Sequence, residues 1–205
     1  MTAEPQSVET PHGPARVHLR PVAEPAGALV LGHGAGGGVT ARDLLTVTDV
    51  AREAGLSVAL VEQPYRVAGR RSPAPVHQLD TAWTAVLEAL AADALRGLAL
   101  VAGGRSSGAR VACRTAAAVG AAAVLCLAFP LHPPGKPLKT RRPELDAVAV
   151  PTLVVQGESD PFGRPEPGPQ REVVLVRGDH GLSADLDGVA AAVRAWLPVI
   201  LPRSA

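Results

Sequence analysis

The hydrophobic positions of this chain fall into short apolar runs that alternate with longer amphipathic stretches. Residues 28–31 (Ala-Leu-Val-Leu), 57–61 (Ser-Val-Ala-Leu-Val), 98–102 (Leu-Ala-Leu-Val-Ala), 121–127 (Ala-Ala-Ala-Val-Leu-Cys-Leu), 151–155 and 172–176 are compact and almost free of charge. Runs of this length, bounded by Gly, Pro and polar residues, read as strands buried on both faces. Residues 16–20 (Arg-Val-His-Leu-Arg) alternate instead, as a half-exposed strand does. Between the runs lie helical spacings: Leu44, Val47, Ala51 and Ala54 before Gly55; Val76, Leu79, Trp83, Val86, Leu87 and Leu90; and Leu182, Leu186, Val189, Val193, Trp196 and Leu197. A further helix is expected directly after the Gly/Ser-rich run at 103–109.

Strands alternating with helices predict an α/β fold, a mostly parallel sheet covered by helices on both faces. Residues 1–15, polar and rich in Pro and Gly, read as a flexible lead-in or an edge strand, and 16–205 as one domain. Pro-rich loops are expected over 63–75 and 129–143. Ligands of such sheets bind at the carboxyl ends of the strands. Here those ends are the turns after Leu31, Val61, Ala102, Leu127, Val155 and Val176.

Composition narrows the class. At 205 residues, 47% hydrophobic and 19% charged with net charge +1, the chain can bury a core without staples, and nothing favours a nucleic-acid partner. Aromatic residues are only 2%, too few for a stacking surface. Cys113 and Cys126 both sit in apolar segments and lack metal-ligand spacing, so buried thiols and no metal are expected. No secretory signal and no membrane-length apolar run is visible, which sets the expectation of a cytoplasmic protein with no membrane partner. Oligomeric state is not legible.

The chemistry is concentrated at those strand ends. Gly104-Arg105-Ser106-Ser107-Gly108 fits Gly-x-Ser-x-Gly between a strand and a helix, a turn that thrusts a serine out of the backbone. A serine hydroxyl needs a base to take its proton and a third group to hold that base. His180, in the turn before the last helix, follows a plausible acid, Asp160, with Glu158 as its neighbour and rival. Asp179 adjoins the histidine and is badly placed to accept its Nδ1 proton, and Asp146 precedes its strand. Amide donors for a tetrahedral oxyanion are expected from Ser107 and, in the Gly-rich loop 32–38, from Ala35. That loop also matches Gly-x-Gly-x-x-Gly over 32–37, the dinucleotide-binding spacing. The acid such a site wants is at best Glu62, and that reading leaves Asp160 and His180 unexplained.

With these residues in place, the chain resembles the α/β-hydrolase superfamily, and within it the small dienelactone-hydrolase-like branch of compact bacterial hydrolases. The resemblance runs from about Ala28 to Trp196. It rests on the 32–37 loop, Tyr65-Arg66-Val67-Ala68-Gly69-Arg70-Arg71, the Gly-x-Ser-x-Gly turn, residues 129–137 (Phe-Pro-Leu-His-Pro-Pro-Gly-Lys-Pro), 156–163 and 179–181. It implies a compact fold without a large lid domain. It also implies a Ser106-Asp160-His180 triad working without metal or organic cofactor on a small acyl substrate: an ester, a thioester or a related bond. Similar chains often carry Ser-Met-Gly-Gly at the turn, whereas Ser106 here is followed by Ser107-Gly108-Ala109. The superfamily also contains scaffold subunits, so a non-catalytic interaction protein is the alternative expectation. His33, Arg70, Arg71, His132 and Lys136 are the candidate substrate contacts. Arg66, Arg70 and Arg71 on one loop and Lys136, Lys139, Arg141 and Arg142 on another suggest an anionic substrate.

Overall fold

The computed structural model describes residues 4–200; the first residues of the expected lead-in, 1–3, and the end of the expected domain, 201–205, lie outside it. Eight strands form one sheet: β1 (Gln6–Val8), β2 (Ala15–Arg20), β3 (Gly27–Gly32), β4 (Leu56–Glu62), β5 (Leu100–Arg105), β6 (Ala123–Leu127), β7 (Thr152–Gly157) and β8 (Arg171–Val176). Their order is β1-β2-β4-β3-β5-β6-β7-β8. β1 and β2 run antiparallel at one edge, and all pairs from β4 to β8 are parallel. The helices are α1 (Arg42–Glu53), α2 (Pro64–Val67), α3 (Val76–Ala92), α4 (Ser107–Thr115), α5 (Arg142–Asp146) and α6 (Leu186–Ile200). This is a compact α/β-hydrolase fold, with no lid domain among the described residues.

The uninterrupted apolar runs are explained by two cores, one on each side of the sheet. Along β3, Ala28 and Val30 face one core while Leu29 and Leu31 face the other. Leu79, Trp83, Val86 and Leu90 of α3, Val111 and Cys113 of α4, and Leu145 of α5 fill the first core. Leu44 and Val47 of α1 and Val189, Val193 and Trp196 of α6 fill the second. Connections between parallel strands are right-handed, so the direction of travel across the sheet selects the face of the connecting helix. The β3-to-β4 step moves one way and carries α1. The steps to β5, β6 and β7 move the other way and carry α3, α4 and α5 across the opposite face. The direction reverses beside β3, so the chain leaves β3 and β5 toward opposite faces of the sheet, the position at which ligands of such sheets bind.

Several boundaries differ from the sequence pattern. β5 continues through Gly103 and Gly104 to Arg105 instead of ending at Ala102. These glycines mark crowding, not a turn: a Cβ on Gly103 would lie 2.6 Å from the Leu125 carbonyl oxygen of β6. α2 and α5 lie within or at the end of the segments read as Pro-rich loops. Each has a proline in its first turn, where the missing N–H breaks no helical bond. Of the two readings of the lead-in, its described part contains the edge strand, with Gln6, Ser7 and Val8 opposite Val17, Arg16 and Ala15. The final helix begins at Leu186, because Leu182 is buried in the preceding turn at φ 53°.

Candidate active site

Ser106 sits between β5 and α4 at φ 52°, ψ −106°, a left-handed conformation that costs an L residue of order 1–3 kcal/mol. The surroundings enforce it. The Ser106 N–H donates to Leu127 O of β6 (2.9 Å), while α4 turns back over the end of β3. A Cβ on Gly104 would lie 2.5 Å from Gly32 O, and one on Gly108 would overlap that same carbonyl. Only glycine two residues either side of Ser106 lets the strand and helix approach this closely, which is the physical content of the Gly-x-Ser-x-Gly spacing.

His180 projects from the loop between β8 and α6. Its Nε2 lies 2.8 Å from Ser106 Oγ and its Nδ1 2.8 Å from Asp160 Oδ2. The close approach of the two loops depends on Gly157 at the end of β7, where a Cβ would strike the Asp179 and Gly178 carbonyls. The Asp160 side chain is fully buried, so its oxygens need donors. Oδ2 also accepts from Gln156 Nε2 (2.8 Å) and Oδ1 accepts from the Phe162 N–H (2.8 Å). The Phe162 ring covers the imidazole, with ring centroids 4.2 Å apart and planes inclined at 33°. Ser106, His180 and Asp160 are therefore brought together in the arrangement that lets an imidazole take a hydroxyl proton. The rival Glu158 is exposed, and Asp179 spends Oδ1 on the Gly181 N–H.

The loop after β3 is fixed by side chains that bond to its backbone. His33 Nδ1 lies 2.8 Å from Gly34 O, His33 Nε2 accepts from the Gln63 N–H (3.1 Å), and Tyr65 Oη donates to Ala35 O (2.9 Å). Burial lowers the pKa of His33, which supports the neutral tautomer that donates to Gly34 and accepts from Gln63. Burial likewise pushes the Tyr65 phenol up to about 12, keeping it a donor. The Ala35 and Ser107 N–H groups make no backbone hydrogen bond in the described residues, and Ser107 opens α4, where first-turn amides are free.

The other candidate contacts divide sharply. His33 is only 3% exposed and both its ring nitrogens are engaged within the protein, so it shapes the loop. His132 is half-buried beside the turn that carries Asp160: its N–H donates to Phe162 O (2.9 Å) and its ring backs onto Gly163. Arg70, Arg71 and Lys136 are exposed. Two partners went unnoticed in the sequence. Gln156 is hidden in an apolar strand. Arg105 fills a variable position of the motif, pairs with the buried Asp43 (Nε to Oδ2, 2.8 Å), and donates from Nη2 to His180 O (3.0 Å). Burial pushes the Asp43 carboxyl above the usual range, and Arg105 opposes that shift.

No three His, Cys, Asp or Glu side chains gather as metal ligands among the described residues, and no described helix is long and apolar enough to cross a membrane. A cavity of about 430 Å³ near Thr152 and Arg171 lies at the amino end of β7, the opposite end of the sheet from Ser106.

Among solved structures, the chain is similar to a lidless α/β serine hydrolase of Xanthomonas campestris, with TM-score 0.81 and 21% identity, covering 100% of this chain and 97% of that one. Est1E of Butyrivibrio proteoclasticus superposes with TM-score 0.78 at 16% identity, covering 98% and 100%. A dienelactone hydrolase of Anabaena variabilis superposes with TM-score 0.72 at 20% identity, covering 97% and 100%. No curated protein sequence matches the chain. The alpha/beta hydrolase domain model matches residues 25–184, from the start of β3 past the His180 turn, and the chain belongs to that family.

Proposed function

We propose that the protein is a serine hydrolase that cleaves an ester, thioester or related acyl bond of a small substrate through an acyl-enzyme. The observation that carries this reading is the continuous chain Ser106 Oγ, His180, Asp160, linked by two 2.8 Å contacts and ending on a carboxylate held by two further donors. His180 Nε2 takes the Ser106 proton as Oγ attacks the acyl carbonyl. Asp160 holds the ring tautomer and stabilises the imidazolium that forms. The Ala35 and Ser107 amides, with the N-terminal end of α4 behind Ser107, receive the oxyanion. The imidazolium then protonates the leaving group, and His180 activates water to release the acid. No residue of this scheme needs a metal or an organic cofactor.

The substrate reading is a small, open-site acyl compound, with anionic compounds favoured. Two exposed basic loops attach to the site. The α2 loop with Arg70 and Arg71 is tied through Tyr65 to Ala35, and the 129–141 segment with Lys136 is tied through the His132 N–H to Phe162. Est1E has been seen with ferulic acid, an aromatic acid, bound.

A fluorophosphonate probe tests the nucleophile. The parent is expected to label, Ser106→Ala to abolish labelling and most activity, about a 10⁶-fold loss of kcat, and Ser107→Ala to retain labelling. Labelling that survives Ser106→Ala but not Ser107→Ala moves the nucleophile by one residue. A well-folded parent that fails to label leaves the fold as an interaction scaffold.

A further inference from the structure

The proposed chemistry uses neither Asp43 nor Arg105, although the Asp43 side chain is only 1% exposed and buried charges are expensive unless they serve each other. Asp43 lies in the first turn of α1, where the helix dipole favours an anion, and its Oδ1 accepts the Leu44 N–H (2.9 Å). Its other oxygen forms an ion pair with Arg105 Nε (2.8 Å) without hydrogen-bond alignment, so charge rather than a directed bond keeps the guanidinium beside it. From there Nη2 donates to His180 O, and Nη1 lies 3.0 Å from where a Cβ on Gly34 would stand. One side chain thus touches the loops that supply the base and the oxyanion donor, while its own backbone adjoins the nucleophile.

The His180 loop needs such a tie. Leu182 N–H to Asp179 O and Gly181 N–H to Asp179 Oδ1 are local bonds, and Gly178 O ties the loop to Ser159 after β7 but not to the Ser106 turn. Among the described residues, the Arg105 bond is the one hydrogen bond joining the His180 main chain to the rest of the molecule. We propose that Arg105, oriented by Asp43, is a positioning residue that pins the His180 backbone to the elbow and thereby keeps Nε2 on Ser106 Oγ. The inference rests on the hydrolase reading above. A displacement of about 1 Å at the reacting groups costs on the order of 10²-fold in rate, so the pin is expected to act on kcat and leave substrate affinity alone. A lysine cannot replace it, because an ammonium is a single point charge and cannot pair with the Asp43 carboxylate through one nitrogen while donating to His180 O through another.

The test measures kcat and KM on p-nitrophenyl acetate, the fluorophosphonate inactivation rate, and Tm. It uses Arg105→Lys and the double variant Asp43→Leu, Arg105→Met. The double variant removes the ion pair without leaving a buried charge, so it is expected to fold with a Tm near the parent's. Both variants are expected to lose about 10²-fold in kcat with KM little changed, and the inactivation rate is expected to fall in parallel. A kcat close to the parent's in the double variant shows the pair to be structural and overturns the proposal. So does a normal kcat in Arg105→Lys, which decides the matter alone if the double variant does not fold. A raised KM at unchanged kcat overturns it too, by making Arg105 a substrate contact. Failure of the hydrolase reading shows separately and earlier, as an unlabelled parent, and takes this inference with it.

Discussion

Arginine appears in two settings at the carboxyl ends of the strands, built in opposite ways. Arg105 is mostly covered, its Nε on a buried carboxylate and its Nη2 on a backbone carbonyl. Arg70 and Arg71 are exposed, and their side chains make no hydrogen bond among the described residues; the α2 loop is held by main-chain bonds such as Arg70 N–H to Tyr65 O. The covered arginine acts through position: an ion pair with Asp43 holds it in place and its one directed bond goes to His180 O, so a shift of either partner is felt at once. The exposed ones act only through their field, which salt screens within about 8 Å at physiological ionic strength. Equal charge therefore predicts unequal consequences. The region around Ser106 should break with the smallest geometric insult, whereas the basic loops should tolerate any substitution that leaves their backbone alone.

Within this comparison, the largest effect on stability is expected from Gly108→Ala. A single methyl there meets the Gly32 carbonyl, and since both are backbone, α4 and β3 must separate. Overpacking of this kind costs about 1–3 kcal/mol or more, and it also moves Ser106 away from the 33–36 loop. Urea denaturation and probe-labelling rate should fall together. Gly36→Ala is the control, because a Cβ there meets nothing within 4 Å. Equal loss from the two substitutions would erase the contrast between a close-packed elbow and a roomy loop.

A smaller and pH-dependent effect is expected from His33. Its folded pKa is lowered by burial, outweighing the opposing hydrogen bond to Gly34 O. A depressed folded pKa means that the unfolded chain binds a proton more readily than the native one. The stability associated with a neutral His33 is therefore present above the unfolded value of about 6.5 and is lost as pH falls toward the lower folded value. Tm measured across that window should decline for the parent, and the decline should be shallower in His33→Gln. An unchanged slope would remove His33 from the buried, fixed half of the site.

Much of the fold and of the candidate site is legible in the sequence. The strands showed because both sheet faces are buried, so Ala28 to Leu31 reads as an apolar run. Ser106, Asp160 and His180 showed because glycine and proline punctuate the turns that carry them. What escaped notice was tertiary in origin. Gly103 and Gly104 read as a turn, because composition cannot distinguish a glycine needed for flexibility from one needed to admit the Leu125 and Gly32 carbonyls. Neither Asp43 nor Arg105 is marked in the sequence, since their pairing spans residues 43 to 105 and exists only once β3 and β5 are adjacent. Gln156 sits inside an apolar strand, where its amide meets Asp160 and the Phe129 carbonyl. Arg70 and Lys136, by contrast, drew attention because charge is visible in a sequence while engagement is not.

The smallest effect is expected where that visible charge is removed. Replacing Arg70, Arg71 and Lys136 together with glutamine should leave Tm unchanged, because exposed side chains without partners contribute little to stability. If these groups guide an anionic substrate, kcat/KM for a carboxylate-bearing ester should fall at low salt by about tenfold, at the low end of steering effects. Its salt dependence should flatten, and a neutral ester of the same acyl length should be untouched. The sign follows from screening: added salt weakens attraction in the parent, so parent and variant converge as ionic strength rises. Identical salt profiles for the two esters in the parent would remove the loops from substrate choice. Specificity would then lie with the groups immediately around Ser106: the Phe162 ring, the His132 side of the 129–141 segment and the 33–36 loop.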